Sequence, residues 1–252
     1  MEVTVDDCAV FAEVRNEAAA ESTVLLHGAG LDHRMWAGVS PALAAAGRRV
    51  LALDLPGHGR SGGSAAKEIF EAAGWVRRFL EATGLDRVAL AGFSMGALVA
   101  LEAAAQAPDR VRSLVLAGVA ERMPVHSRLL RTAAADDPAA WDMVANWGHH
   151  HPEHAPATRA LLAGAGPGVL HAGLGACHRY RRALNAASAV RCPILLLLGE
   201  KDRMTPTRAA EPLAQALTRA GAPVTRVLLP DCGHMMMSEA TAAAAKAMLP
   251  FV

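Results

Sequence analysis

Short apolar segments alternate with longer amphipathic segments along most of the chain, and this alternation constrains the fold more than any other feature. After an N-terminal stretch, the apolar runs are residues 23–26, 50–53, 88–91, 111–116, 194–198 and 224–229. Segments of helical length lie at residues 67–83, 95–107, 208–220 and 235–248. This order predicts an α/β fold with a mostly parallel central sheet and helices on both faces. Residues 2–5 and 8–14 predict a weaker antiparallel pair at one edge.

One connection between predicted strands is far longer than the others. Connections in compact domains usually have only a few residues, whereas residues 119–190 separate the fourth apolar run from the fifth. This stretch contains short helical patterns at residues 129–135, 139–147, 158–163 and 177–187. We therefore predict a helical cap insertion at residues 119–190, above the carboxyl ends of the strands. The core then comprises residues 1–118 and 191–252.

Composition excludes several classes of protein. The 252 residues carry a formal net charge of +1 and include no long basic block, so we expect no nucleic-acid partner. No apolar run approaches the roughly 18 residues that a membrane span needs, so we expect no membrane association. The four cysteines lie far apart, with no CxxC pair and no secretory pattern before them, which predicts reduced thiols and a cytoplasmic protein. The balanced charge carries no information on oligomeric state.

A serine lies where an apolar strand turns into a helix. Gly92-Phe93-Ser94-Met95-Gly96 follows the run at residues 88–91 and opens the helical segment at 95–107. A sharp turn of this kind strains the central residue, and flanking glycines avoid collisions where backbone and helix approach each other. The hydroxyl of Ser94 would project at the edge of the sheet, beside the positive end of the helix. The pattern predicts a nucleophilic serine.

Further motifs occur in the order typical of one family. They are His27-Gly28-Ala29-Gly30, Asp54-Leu55-Pro56-Gly57-His58-Gly59-Arg60-Ser61, Gly92 to Gly96, Gly199-Glu200-Lys201-Asp202 and Gly233-His234. From about residue 23 to the C-terminus the chain resembles an α/β-hydrolase of the serine esterase or lactonase type. The resemblance implies the α/β-hydrolase fold, with these motifs as the oxyanion loop, a scaffolding turn, the nucleophile elbow, the acid loop and the histidine loop.

A serine hydroxyl needs a positioned base, and the base needs a carboxylate that orients it. His234 lies in a glycine-containing turn between the last strand and the last helix, and Asp202 follows the strand at 194–198. The order Ser94, Asp202, His234 is the one that α/β-hydrolases use. Glu200 and Asp231 are the competing carboxylates.

The same motifs suggest the groups that would stabilise an oxyanion. The backbone N–H of Met95, the residue after the nucleophile, is one expected donor. By resemblance, Ala29 supplies the other. His27 is expected to hold the loop below the site, and the turn at residues 54–61 is expected to be scaffolding.

These features predict a cofactor-free serine hydrolase acting on a small or medium ester, thioester or lactone substrate. Serine at position 94 argues against the aspartate-dependent dehalogenases and epoxide hydrolases of the family. A C–C bond hydrolase, a cofactor-free haloperoxidase or perhydrolase, and a ligand sensor with slow turnover remain open alternatives. Residues 57–62 match GxGxxG, but no acidic residue ends the next strand, so we expect no dinucleotide.

Two further groups of residues have weaker functional interpretations. His149, His150, His151 and His154 invite a metal site, but adjacent histidines on an insertion where Pro152 breaks the helix do not form a fixed tetrahedral set. No cysteine or carboxylate pair completes one, so no metal is expected. Trp141, Trp147 and Met235 are candidates for lining an apolar substrate pocket.

Overall fold

Eight strands form one sheet in the computed structural model, which describes residues 1–252. The strands are β1 (Glu2–Val5), β2 (Cys8–Arg15), β3 (Ser22–Leu26), β4 (Arg49–Leu53), β5 (Val88–Phe93), β6 (Val111–Ala117), β7 (Ile194–Gly199) and β8 (Val224–Leu229). Their order across the sheet is β1-β2-β4-β3-β5-β6-β7-β8. Strands β3 to β8 are parallel, and β1 and β2 form the predicted antiparallel edge.

Eleven α-helices accompany the sheet. They are α1 (Ser40–Ala45), α2 (Ile69–Ala82), α3 (Met95–Gln106), α4 (Ser127–Ala134), α5 (Ala139–Gly148), α6 (Ala155–Ala163), α7 (Val169–Arg179), α8 (Ala183–Ala189), α9 (Glu211–Arg219), α10 (Met236–Glu239) and α11 (Thr241–Met248). No helix combines the length and apolarity that crossing a membrane requires.

Side chains that alternate along the parallel strands form two separate apolar layers. Val24 and Leu26 of β3 belong to a layer that includes helices α2, α3, α8 and α9, whereas Leu25 belongs to a layer that includes α1 and α11. Successive side chains of a strand point to opposite faces, so strands covered on both sides read as continuous apolar runs. The predicted α/β-hydrolase fold is confirmed.

Helix boundaries depart from the sequence prediction in two places. The predicted helix at residues 235–248 is two helices, because Ala240, at φ −132°, ends α10 and precedes α11. The predicted segment at 177–187 divides into the end of α7 and a separate helix α8, with Tyr180 in extended backbone conformation between them. Helix α1 had no counterpart in the predicted pattern.

The long connection between β6 and β7 contains helices α4 to α8. Helix α8 packs against α3 and α9 and so lies in the helical layer beside the sheet. Helices α4 and α5 pack against each other, α5 packs against α6, and α4 packs against α7. The connection therefore contains one helix of the core layer and four helices, α4 to α7, that pack largely with one another, with α7 also contacting α3.

Candidate active site

Ser94 occupies a strained position between β5 and α3. Its backbone has φ 53° and ψ −115°, outside the regions that residues with a side chain favour. A Cβ at Gly92 would lie 2.1 Å from the carbonyl oxygen of Gly96, and a Cβ at Gly96 would lie 2.4 Å from the oxygen of Leu26. The turn therefore requires glycine at both positions, as the sequence pattern predicts.

His234 and Asp202 form a buried pair at the carboxyl edge of the sheet. The Nδ1 of His234 lies 2.7 Å from Oδ2 of Asp202, and each side chain is 1% exposed. Asp202 follows β7 and His234 follows β8, and these strands are neighbours in the sheet. Their carboxyl ends therefore bring together two residues that lie 32 positions apart in the sequence.

Asp202 also accepts three hydrogen bonds from its own loop. The amides of Met204 and Thr205 donate to Oδ1, both at 2.8 Å, and the Thr205 hydroxyl donates to Oδ2 at 2.6 Å. Burial alone would raise the pKa of Asp202, but His234 and the hydrogen bonds from Thr205 outweigh it and hold this pKa below its usual value. The carboxylate is therefore ionised and fixed in orientation. Sequence reasoning missed Thr205, whose only local signal is its spacing of three residues from Asp202.

The imidazole of His234 lies between the ring of Phe93 and the backbone of Gly118. The centroids of the Phe93 and His234 rings are 4.9 Å apart. A Cβ at Gly118 would lie 2.9 Å from Cε1 of His234, and Gly118 has φ +60°. The absence of a side chain at Gly118, just after β6, leaves the space that the ring of His234 occupies.

A cavity of about 380 Å³ lies above Ser94 and His234. Residues from the β6 to β7 connection and from the core line it: Ala29, Ser94, Met123, Pro124, Val125, His126, Leu129, Trp147, Leu174, Cys177, Arg203, Met204, Thr205 and His234. Most of them are apolar, and none is acidic. Ser94 shares this cavity with His234, whose imidazole makes its hydrogen bonds to Asp202 and Thr205 and not to the Ser94 hydroxyl.

Two backbone amides are the candidate oxyanion donors. The N–H of Ala29, a residue that lines the cavity with Ser94, donates to no backbone acceptor. Met95 begins the twelve-residue helix α3, and the first N–H groups of a helix have no partner within it and carry a positive partial charge. These features suit both amides to an anionic oxygen near Ser94.

The three predicted pocket residues are not brought together. Trp147 lines the cavity above Ser94, but Trp141 and Met235 do not. The tryptophans are six positions apart in α5, which places them about 120° apart around the helix axis. Trp141 instead faces Arg159, whose guanidinium carbon lies 5.8 Å from the centroid of the ring. Met235 lines a second cavity, of about 220 Å³, between α6 and α10.

His27 holds the loop below the cavity, as expected. Its Nε2 accepts a hydrogen bond from the amide of Leu55 at 3.0 Å, so Nδ1 carries the proton and donates to the oxygen of Gly28 at 2.9 Å. Burial lowers the pKa of His27 to about 3, so the ring is neutral. In the adjoining turn, Asp54 accepts hydrogen bonds from the amides of His33 and Arg60.

Glu239 is a second residue that the sequence did not single out. One carboxylate oxygen accepts from the amides of His150 and His151, at 2.6 and 2.7 Å, and the other accepts from the amide of Gly233 at 2.7 Å. This one side chain connects the segment after α5 with the turn that carries His234. Arg203 similarly donates to the carbonyls of Asn146 and His149, at the end of α5.

The four cysteines are free. Cys177 lines the cavity, but burial raises the pKa of its thiol to about 12, so it is a poor candidate for a nucleophile. Burial, followed by the charge of Glu239, also raises the pKa of Cys232 to about 12.

A sequence profile of the α/β hydrolase fold matches residues 24–155. The chain belongs to the α/β-hydrolase family. The matched region runs from within β3 through the elbow at Ser94 to the loop after α5.

Similar proteins have several activities in their names. The chain is 32% identical over 245 residues to a dihydrolipoyllysine-residue acetyltransferase component of the acetoin cleaving system from Pseudomonas putida, covering 91% of this chain and 62% of that protein. The chain thus spans about three fifths of that relative's length. It is 30% identical over 227 residues to a pimeloyl-[acyl-carrier protein] methyl ester esterase from Neisseria meningitidis serogroup B, covering 79% of this chain and 81% of the esterase.

Among solved structures, the chain is similar to the enol-lactonase from Burkholderia xenovorans LB400. The TM-score is 0.88 at 23% sequence identity, over 100% of this chain and 99% of the lactonase. At this identity the likeness establishes the fold.

Proposed function

We propose that this protein is a serine hydrolase that cleaves small or medium carboxylic esters, thioesters or lactones through an acyl-enzyme on Ser94. The observation that carries the proposal is the buried pair of Asp202 and His234, which shares one cavity with a serine in a strained elbow. An esterase and an enol-lactonase among the similar proteins support an ester or lactone as the substrate class.

In the first half of the reaction, Ser94 Oγ attacks the substrate carbonyl carbon and its proton passes to Nε2 of His234. The amides of Ala29 and Met95 donate to the oxyanion, and loss of one such donor typically costs about 3 to 4 kcal/mol in the barrier. The bond from the carbonyl carbon to the alcohol oxygen then breaks, and the alcohol takes the proton from His234. Asp202 stays ionised and stabilises the imidazolium.

In the second half, a water gives a proton to Nε2 of His234 as its oxygen attacks the acyl carbon. The bond between that carbon and Ser94 Oγ breaks, Ser94 regains the proton, and the carboxylic acid leaves. Binding pockets for small molecules are about 300 to 1,000 Å³. A cavity of about 380 Å³ lies at the lower end of this range, which favours short and medium acyl groups.

We also infer that part of the β6 to β7 connection is a cap over the site. Met123, Leu129, Trp147 and Leu174 belong to this connection and line the cavity opposite Ser94. Helix α8 packs with the core helices α3 and α9, so the covering part is α4 to α7 and the loop before them. Within the predicted insertion at residues 119–190, the proposed cap therefore comprises residues 119–179.

The proposal is tested with a fluorophosphonate probe and p-nitrophenyl esters of increasing acyl length. We expect wild type to be labelled at one serine and to turn over short and medium esters many times. Ser94→Ala abolishes both signals, while Ser64→Ala, at an exposed serine, keeps both. Wild type that neither labels nor turns over above the Ser94→Ala background would disprove the proposal.

A further inference from the structure

Three potential metal ligands meet at the surface, away from the cavity above Ser94. They are the Nε2 atoms of His150 and His151 and the carboxylate of Asp231, and suitable atoms of all three lie within 4.8 Å of one another. His150 Nε2 is 3.0 Å from Oδ1 of Asp231, and His151 Nε2 is 3.4 Å from Oδ2. None of the three residues lines the cavity.

The backbone on both sides of this cluster is fixed by hydrogen bonds. The amides of His150 and His151 donate to one oxygen of Glu239, and His151 Nε2 lies 2.9 Å from the backbone oxygen of Asp231. The amide of Asp231 donates to Glu200 at 3.0 Å. These bonds fix the backbone beside the three residues, and the bond from His151 Nε2 to the Asp231 carbonyl would break when that nitrogen bound a metal.

The ligand types select among metal ions. Two imidazoles with one carboxylate suit zinc and similar divalent transition metals, whereas calcium and magnesium prefer all-oxygen sites. Zinc binds nitrogen and oxygen ligands at about 2.0 to 2.2 Å. Adjacent ligands on such an ion lie about 3 Å or slightly more apart, the separation already seen between the imidazole nitrogens and Asp231.

We propose that His150, His151 and Asp231 form a binding site for a divalent transition-metal ion of the zinc class, with the fourth position open to water. The sequence predicted no metal because adjacent histidines beside Pro152 form no fixed ligand set and no carboxylate pair completes one. Asp231 lies 80 residues away and is brought to the histidines by the fold. Coordination uses the neutral imidazole, so a ring nitrogen that carries a proton releases it to solvent when the metal binds.

A metal at this position would join two parts of the molecule. His150 and His151 follow α5 of the cap, and Asp231 lies three residues before His234 in the turn after β8. The bound ion would therefore fasten the cap segment to the turn that holds His234. This inference does not depend on the proposed esterase activity.

The site is tested by titrating zinc chloride into the full chain, without a histidine tag, after dialysis against a chelator. We expect calorimetry to give about one equivalent bound with micromolar affinity, and zinc to raise the thermal unfolding temperature. His150→Gln and Asp231→Asn should each weaken binding roughly tenfold or more. Asparagine suits position 231, because its φ of 52° is left-handed and asparagine tolerates this conformation.

His154→Gln is the matched control. The His154 ring is near that of His151, with centroids 6.4 Å apart, but it lies outside the ligand set, so this variant should bind zinc like wild type. Zinc binding that is unchanged in the double variant His150→Gln, Asp231→Asn would overturn the proposal. So would an absence of saturable binding in wild type, or equal binding of magnesium.

Discussion

The carboxylate of Asp202 lies 2.7 Å from the imidazole of His234, and both side chains are almost completely removed from solvent. A buried carboxylate is expensive to keep ionised unless hydrogen bonds and a cation compensate. Here two amides, the Thr205 hydroxyl and His234 all face the same carboxylate. The arrangement fixes the tautomer of His234, with the proton on Nδ1 and the Nε2 lone pair free, as a general base requires.

Replacement of Asp202 by asparagine should lower kcat by about 10⁴, because an amide no longer selects the correct tautomer of the histidine. The measurement is kcat and KM on a short p-nitrophenyl ester. Glu200→Gln is the control for the competing carboxylate, since Glu200 is exposed and pairs with Lys201. Equal losses in the two variants would remove Asp202 from the proposed triad.

Replacement of Glu239 by glutamine should weaken the positioning of His234. The carboxylate accepts three backbone amides, and an amide group in its place turns an N–H donor toward at least one of them. A buried donor that loses its acceptor lowers the free energy of unfolding by about 1 to 3 kcal/mol. We expect a lower unfolding temperature and a kcat reduced roughly tenfold, with KM nearly unchanged.

The Glu239 prediction has an internal control. Ser238, the preceding residue, donates to the Met235 carbonyl, lies 3.1 Å from Nε2 of His149 and accepts nothing from the Gly233 amide, so Ser238→Ala should leave kcat within about twofold of wild type. If Glu239→Gln lost stability but retained the wild-type kcat and pH profile, the residue would be structural and not a positioning residue for His234.

The sequence predicted the elements of the site that have a local signature. Ser94 stands out because the turn needs glycine at both Gly92 and Gly96, and this requirement leaves a pattern five residues long. Asp202 and His234 follow apolar runs that become neighbouring parallel strands. Knowledge of the fold's motif order was enough to select them from the other carboxylates and histidines.

Contacts between distant segments have no such signature. Glu239 contacts His150 from 89 positions away, and Asp231 meets His151 across 80. Neither pairing depends on a repeat or a spacing. Likewise, the sequence does not show which side of α5 faces the cavity, so it could not distinguish Trp147, which lines the cavity, from Trp141, which does not.

Replacement of Gly118 by alanine should impair catalysis as well as folding. Its new Cβ would lie 2.9 Å from the His234 ring, in addition to the cost of a side chain at φ +60°. Gly84→Ala is a matched control, because Gly84 has φ +64° and no atom within 4 Å of the added Cβ. Both variants should lose about 1 to 2 kcal/mol from backbone strain, but only Gly118→Ala should also lose kcat.

The depressed pKa of His27 predicts a fall in stability below neutral pH. Burial lowers the pKa of His27 to about 3 in the folded protein, whereas in the unfolded chain it is near 6.5. Below pH 6.5 the unfolded state therefore binds one more proton than the folded state, which favours unfolding by about 1.4 kcal/mol per pH unit until pH approaches 3.

Urea unfolding at about pH 7.5, about pH 6 and about pH 5 measures this slope. Glutamine at position 27 retains an acceptor for the Leu55 amide but has no group that titrates in this range. His27→Gln should therefore flatten the dependence of the unfolding free energy on pH, and it should also lower that free energy at about pH 7.5. A slope unchanged by His27→Gln would refute the assignment.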